Sequence, residues 1–456
     1  MDNHLFKLSD SVSKWPFHKV LIANRGEIAV RIIRTCRVLG LQTVAVYSEA
    51  DEHALHVKLA DEAVKIGPAN ASQSYLNIPA LMAAVQLTGA DALHPGYGFL
   101  SESPQLARAC QENHIKLIGP SAELMELLGD KERARQTMQR AGLPIVEGSP
   151  STILDLATAQ QQADQIGYPI MLKAAAGGGG KGMRILHSPA ELAQQFSTAQ
   201  DEAMASFDDR RMYMERYLAR PRHIEVQIIA DRYGHALALS ERDCTIQSRH
   251  QKVIEEAPAV VIPEPIRAEM LRRSEVAVAQ LHYEGVGTIE FLYNDDGSYY
   301  FMEMNTRIQV EHAISEQINQ VDLIELQLRL AAGGVLSGQR PPTQGFALEC
   351  RINALTPGKI TALHLPGGQG VRIDTAIYQG YQVPTNYDGM IAKLVVYGDR
   401  RQRVLKQMQT IVDETVIEDI QTNLGELAQI LREPDLQRLT TNVNWLDDLQ
   451  SKEDQQ

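Results

Sequence analysis

The sequence predicts an open parallel α/β domain followed by α+β structure, and three observations carry that expectation. Residues 20–23 form a short apolar run, residues 27–39 have helical periodicity closed by Gly40, and residues 43–47 are again strand-like, which together make a βαβ unit. Strand-like segments at 90–94 and 115–118 continue the alternation through roughly the first 120 residues, as a parallel sheet requires. Further on, strand-like runs at 168–173, 183–186, 212–217 and 224–230 lead to residues 287–293 and 301–312, which flank the turn at 294–298 as a hairpin. Between these regions, residues 121–142 read as two helical segments interrupted at Gly129. A C-terminal mixed region has strands at 347–352 and 390–397 and a helix at 400–413, while the polar tail from 447 onward is expected to fray. The expected divisions are an extension (1–18), an α/β domain (19–130), a glycine-loop segment (131–217), a core (218–345) and a C-terminal domain (346–450).

Composition narrows the function classes. With 456 residues, 44% apolar and 22% charged, the chain has the make-up of an ordinary multidomain globular protein. The 44 Lys and Arg against 57 Asp and Glu leave a formal charge of -13, which repels nucleic-acid backbones. Cys36, Cys110, Cys244 and Cys350 are widely spaced, so neither a disulfide framework nor a zinc site is expected and the setting reads as reducing and cytoplasmic. No stretch has the length and apolarity of a membrane span.

Residues 301–312 (FMEMNTRIQVEH) carry the chemistry. Read as an extended strand, they put Glu303, Asn305, Arg307, Gln309 and Glu311 on one face. The fold-back at 294–298 then brings Glu290 close to Glu303. Two carboxylates and an amide oxygen suit a hard divalent cation that bridges nucleotide phosphates, as Mg²⁺ does. Arg307 offers a fork to a small planar anion, and Glu311 a base. The alternative is a solvated edge strand, but Met302, Met304, Ile308 and Val310 alternate with the polar set and no lysine stands among the acids.

Residues 174–182 (AAAGGGGKG) link two strand-like runs. They satisfy GxGxxG at Gly177, Gly179 and Gly182, yet a strand follows where a dinucleotide fold needs a helix, and Gly182 replaces the Ser or Thr of a P-loop. The functional reading is a mobile lid in which the amides of Gly177, Gly178, Gly179, Gly180 and Gly182, with Lys173 and Lys181, cover nucleotide phosphates; the plain reading is a hairpin tip. The first strand-to-helix turn, residues 24–27, lacks the glycine fingerprint of a dinucleotide site even though Asp51 follows the second strand. Residues 94–99 (HPGYGF) sit where α/β sheets place ligand loops, or form a structural turn. The charge-dense 241–244 and 249–252 read as a wet loop, and 220–223 as a connection between strands.

Taken together, residues 22–29 (IANRGEIA), 93–102 (LHPGYGFLSE), 177–183, 250–258 (HQKVIEEAP) and 303–312 resemble, in order, the signatures of biotin carboxylase, of the ATP-grasp superfamily. The resemblance spans about Phe17 to Leu449. It implies a three-part enzyme: an N-terminal α/β domain, a mobile glycine-loop lid and a larger C-terminal domain on which ATP lies. Bicarbonate would attack the γ-phosphate to give carboxyphosphate, whose carboxyl group passes to N1 of biotin. By the same resemblance Lys131 and Lys173 contact ATP phosphates, Glu215, Arg216 and Leu218 line the adenine pocket, and His223 and His250 lie by the nucleotide. Glu290, Glu303 and Asn305 match ligands of Mg²⁺ or Mn²⁺. Arg307, Gln309 and the Val310 amide match a bicarbonate clamp with Lys252 nearby, Glu311 the base, and Arg351 the cation facing the biotin ureido group. The implied partners are a biotin carboxyl carrier protein and carboxyltransferase subunits, most readily those of an acetyl-CoA carboxylase making malonyl-CoA for fatty acids, with a possible homodimer.

Several positions depart from the family's usual pattern. The segment after Ala354 is shorter than its acidic, proline-containing loop, which predicts a weakened biotin half-reaction. Ala313 stands in place of a proline, Ser248 of an arginine, Ala176 of a glycine, and Gln369 of an aromatic residue that supports dimers. Two alternatives stand beside an active biotin carboxylase: another ATP-grasp carboxylate ligase, and a catalytically weakened copy with a regulatory role.

Overall fold

A computed structural model of the chain describes residues 7–8, 15–175 and 183–453, so the glycines at 177–180 and 182, with Ala176 and Lys181, lie outside the described residues. The first domain is a five-stranded parallel sheet in the spatial order Glu62–Gly67, Gln42–Ser48, Lys19–Ile22, Ala92–His94, Lys116–Leu117. Its helices begin at side-chain caps: Asn77 accepts from the Ala80 amide at 3.1 Å and Ser103 from the Leu106 amide at 3.2 Å, each just before a proline in the first turn. Strand order reverses between Lys19–Ile22 and Ala92–His94, which is where such sheets hold ligands.

Both loops that leave this switch point are built for each other. The Asn24 amide donates to the carbonyls of Pro95 (2.8 Å) and Tyr97 (2.7 Å), and the Tyr97 hydroxyl bonds Glu27. Gly96 has φ +65, and a Cβ there would lie 2.9 Å from the Asn24 amide nitrogen, so only glycine fits. Asp51 is buried against Arg25 at 2.6 Å and the Tyr75 hydroxyl at 2.7 Å, a packing role rather than a ribose contact.

The helices Ala122–Gly129 and Lys131–Arg140 break at Asp130, whose carboxylate caps the Arg133 amide at 2.9 Å. A small antiparallel sheet follows, ordered Arg184–Leu186, Ile170–Ala174, Met212–Arg216. It packs with Leu156–Ile166 and Pro189–Phe207 around a separate core that includes Leu172, Phe196 and Met214.

An eight-stranded antiparallel sheet forms the body: Tyr299–Asn305, Gly285–Tyr293, Arg222–Ala230, Ala236–Ser248, Gln251–Ala257, Phe346–Asn353, Met390–Gly398, Val371–Thr375. Strands from beyond residue 345 therefore continue the same ladder. Among the described residues, no helix is long and apolar enough to cross a membrane. The cysteines are all buried and unpaired.

Four local expectations are corrected. The strand expected over 301–312 runs only Tyr299–Asn305; Ile308, wholly buried, pulls the chain inward and the helix His312–Asn319 begins. Arg222 and His223 belong to a strand, not to a connection. The segments 241–244 and 249–252, expected as a wet loop, belong to two ladder strands with Arg242 fully buried, turning at Arg249 (φ 48) and His250 (φ 64) as a two-residue hairpin of the primed kind does. The tail forms a helix, Trp445–Glu453. In each case tertiary pairing overrides what local polarity suggests.

Candidate active site

Strand register assembles the site. Arg242 pairs with Glu225, Glu225 with Glu290, and Glu290 with Glu303, so one transverse row crosses four neighbouring strands. The next row is Gln227, Thr288, Asn305. Apolar Ile224, Val226 and Ile289 occupy the other face and pack in the core, which is why the charged row cannot slip by one residue. A second row, Arg351 with Lys393 and Lys393 with Asp374, lies further along the same sheet.

Glu290, Glu303, Asn305 and Arg351 of these rows line a cleft of about 1010 Å³ between the body, the small sheet and the switch-point loops. Every described candidate lines it: Lys131, Lys173, Glu215, Arg216, Leu218, His223, His250, Lys252, Glu290, Glu303, Asn305, Arg307, Gln309, Val310, Glu311 and Arg351. Arg307, Gln309 and Glu311 arrive on an irregular loop rather than on the expected strand face. The glycine-loop candidates lie outside the described residues.

At the centre Lys252 bonds Glu225, Glu311 at 2.8 Å and Glu290 at 3.3 Å. Burial alone would depress its pKa, but these carboxylates outweigh it and hold it well above the ordinary lysine value. Burial likewise opposes ionisation of Glu311, yet Lys252, Arg351 and Arg242 carry it well below the carboxylate range. Glu290 is lowered by Lys252 and by His223, 2.8 Å away, again against burial. Arg351 binds Glu255 at 2.6 Å through Nε and Glu311 at 3.0 Å. Burial, only partly offset by Arg351, pushes Glu255 up to about 7.

Arg307 donates to Glu102 at 2.9 Å and to the Asn305 side-chain Oδ1 at 2.8 Å. The Asn305 and Gln309 amides each donate to Glu290 Oε1 at 2.7 Å. Glu303 carries no described ion pair, and burial followed by the Glu290 charge raises its pKa. Glu303, facing Glu290 across the strand pair and beside the Asn305 amide oxygen, completes a set of oxygen ligands of the kind that suits a hard divalent cation. On the small-sheet side, Glu215 bonds Lys173 and lies 3.6 Å from Arg135, which stacks over Tyr213 at 4.8 Å.

Arg351 owes its place to register and to these carboxylates; the Asn423 amide also holds its carbonyl at 3.0 Å. The shortened segment is tied separately, Ala354 to Gly389 at 2.8 Å and Leu355 to Gln421 at 2.7 Å. Sequence reasoning missed Glu225, Arg242, Glu255 and Lys393. The alternation His223, Ile224, Glu225, Val226, Gln227 was a usable signal for the first; the others depend on partners far along the chain.

Comparison with known proteins matches three family profiles in succession: "Biotin carboxylase, N-terminal domain" over 16–125, "Carbamoyl-phosphate synthase L chain, ATP binding domain" over 130–339, and "Biotin carboxylase C-terminal domain" over 349–448. A biotin carboxylase of Haemophilus influenzae is 49% identical over 94% of this chain and 98% of its own length. A Campylobacter jejuni biotin carboxylase, solved as a complex with β,γ-ATP, superposes with a TM-score of 0.91 at 44% identity, covering 95% of this chain and 99% of that one. The biotin carboxylase domain dimer of Hydrogenobacter thermophilus 2-oxoglutarate carboxylase, solved with MgADP and bicarbonate, gives 0.90 at 39% identity, covering 95% and 98%. With identity this high along nearly the whole chain, and a charged cleft assembled on the same three-part architecture, the chain belongs to the biotin carboxylase family of ATP-grasp enzymes.

Proposed function

We propose that the cleft carboxylates biotin on a carrier protein, using ATP and bicarbonate. The observation that carries this reading is the position of Glu311, bonded by both Lys252 and Arg351, with Lys252 also bonded to Glu225 and Glu290 of the carboxylate row. A base, an anion-binding cation and a cation for a developing enolate thus meet within one cleft.

Glu311 takes the bicarbonate proton, and the bicarbonate oxygen attacks the γ-phosphorus as the bond to ADP breaks. The carboxyphosphate then delivers its carboxyl group to biotin N1, whose proton leaves with phosphate. Held by Glu290, Glu303 and Asn305, Mg²⁺ would supply charge neutralisation at the phosphates. Lys131 and Lys173 bind those phosphates, while Glu215, Arg216, Leu218, His223 and His250 hold the rest of the nucleotide. Arg307, Gln309 and the Val310 amide orient bicarbonate. Lys252 and Arg351 both bond Glu311 and weaken it as a base. As they turn to bicarbonate and biotin, Glu311 gains basicity at the moment it is needed.

The later transfer is assigned to carboxyltransferase subunits of an acetyl-CoA carboxylase in the cytoplasm. The test is an ATPase assay with added free biotin and bicarbonate. ATP cleavage that requires bicarbonate and rises with biotin is expected. Cleavage driven by another carboxylate or by ammonia would point to a different ATP-grasp ligase, and nucleotide binding without turnover to a regulatory copy.

A further inference from the structure

Residues 309–311 lie between a strand that ends at Asn305 and a helix that begins at His312, so no ladder of their own holds their backbone. His312 secures the Gln309 carbonyl, through its amide at 3.3 Å and its ring Nδ1 at 2.8 Å. The Val310 carbonyl instead accepts a 2.6 Å bond from Lys393 Nζ. Lys393 is wholly buried and does not line the cleft. Its ammonium lies 3.2 Å from Glu27, in the first helix of the parallel domain, and 3.7 Å from Asp374, on the last strand of the eight-stranded sheet. One cation therefore joins two domains and the loop that carries Val310 and Glu311.

Burying an ammonium costs several kcal/mol unless good partners compensate it, and an apolar side chain of similar volume would avoid that cost. What an apolar chain could not do is donate to a carbonyl. We propose that Lys393 is a positioning residue for the bicarbonate step: by holding the Val310 carbonyl it fixes the peptide that joins Val310 to Glu311, and with it the Val310 N–H and the Glu311 carboxylate that meet the anion. This rests on the assignment of residues 307–311 to bicarbonate. Freed from Lys393, the peptide plane can rotate, and a displacement of about 1 Å costs on the order of 10²-fold in rate.

The test uses the full chain carrying Lys393→Met, and a second variant combining Lys393→Met with Glu27→Gln. In the double variant Asp374 keeps Arg372 at 2.7 Å, and the buried Glu349 carboxyl, which burial already holds well above the carboxylate range, is the acid left beside the vacated position. Biotin-free, bicarbonate-dependent ATP cleavage is measured against each substrate, alongside nucleotide affinity and the thermal midpoint. The expected result is a fall of about 10²-fold in kcat/KM for bicarbonate, with KM for ATP and nucleotide affinity changed by less than about 3-fold. Glu27→Gln alone, which keeps the lysine but loosens its anchor, should move the bicarbonate parameter the same way by about 3- to 10-fold. Wild-type bicarbonate kinetics in these variants, or a nucleotide affinity lost as steeply as the bicarbonate parameter, would overturn the proposal. Glu311→Gln separates the two layers of inference. If that variant retains normal bicarbonate dependence, the site assignment itself fails; if it loses that dependence while the Lys393 variants do not, only the role of Lys393 fails.

Discussion

The two walls of the cleft are built on opposite electrostatic plans. On the wall formed by the eight-stranded sheet, Glu225, Glu255, Glu290 and Glu311 interlock with Lys252, Arg242 and Arg351, and every one of these groups is buried or nearly so. On the wall formed by the small sheet, the described ion pairs lining the cleft are those of Glu215 with Lys173 and Arg135 and of Arg216 with Glu147, around a separate core. A dense network in low dielectric holds its geometry before substrates arrive, because moving one member exposes another to an unpaired charge. The second wall has fewer such ties among the described residues. Under the proposed function, chemistry on bicarbonate belongs to the first wall, and the second, with Lys173, captures the nucleotide phosphates.

Substitutions on the sheet wall should hit turnover hardest. Glu311→Gln is expected to keep nucleotide affinity and lose about 10²- to 10⁴-fold in kcat, the usual worth of a placed general base, in a steady-state ATPase assay. An equal loss of ATP affinity would erase the distinction between the walls. Glu303→Gln should next cost several kcal/mol of charge stabilisation, on the order of 10²-fold, read as a weakened Mg²⁺ dependence of turnover.

On the other wall, Lys173→Met is expected to raise KM for ATP about 10-fold while KM for bicarbonate stays put. A matching rise for bicarbonate would show that the two walls act as one.

The sheet wall should also register in stability. Burial raises Glu255 to about 7 from an ordinary 4.5, and burial also holds the Glu349 carboxyl well above its ordinary value. A raised carboxyl binds its proton more tightly when folded, so its stabilising contribution is complete below the ordinary carboxylate range and is lost as pH rises through the folded value. Glu255→Gln should therefore flatten the fall in stability between about pH 4.5 and 7 by on the order of 2 kcal/mol, measured by denaturant melts across that range. A steeper fall in the variant would reverse the sign. The smallest effect is expected from inserting an acidic loop after Ala354. Arg351 is fixed by register, carboxylates and Asn423, so carboxybiotin formation should change by less than about 3-fold. A larger change would restore the importance that the shortened segment holds in the sequence reading.

The small turns and period-2 strands were legible because their determinants are local. Asn294–Ser298 chemistry alone indicated that Glu290 would face Glu303, and the register agrees. The loop at 306–311 was not legible, since its departure from the strand depends on where Ile308 finds a core. Arg242 and Lys393 were hidden for the same reason: a charged residue in sequence reads as solvated until a partner such as Glu225 or Glu27 is brought across from another segment.

The sheet wall's claim on bicarbonate is most directly tested with ¹⁸O-labelled bicarbonate in a single turnover with ATP and biotin, followed by mass analysis of the released phosphate. Attack by bicarbonate on the γ-phosphorus leaves one of its oxygens on phosphorus when the carboxyl group moves to biotin, so one labelled oxygen per phosphate is expected. Unlabelled phosphate would mean that water, not bicarbonate, is the nucleophile, and would contradict the assignment.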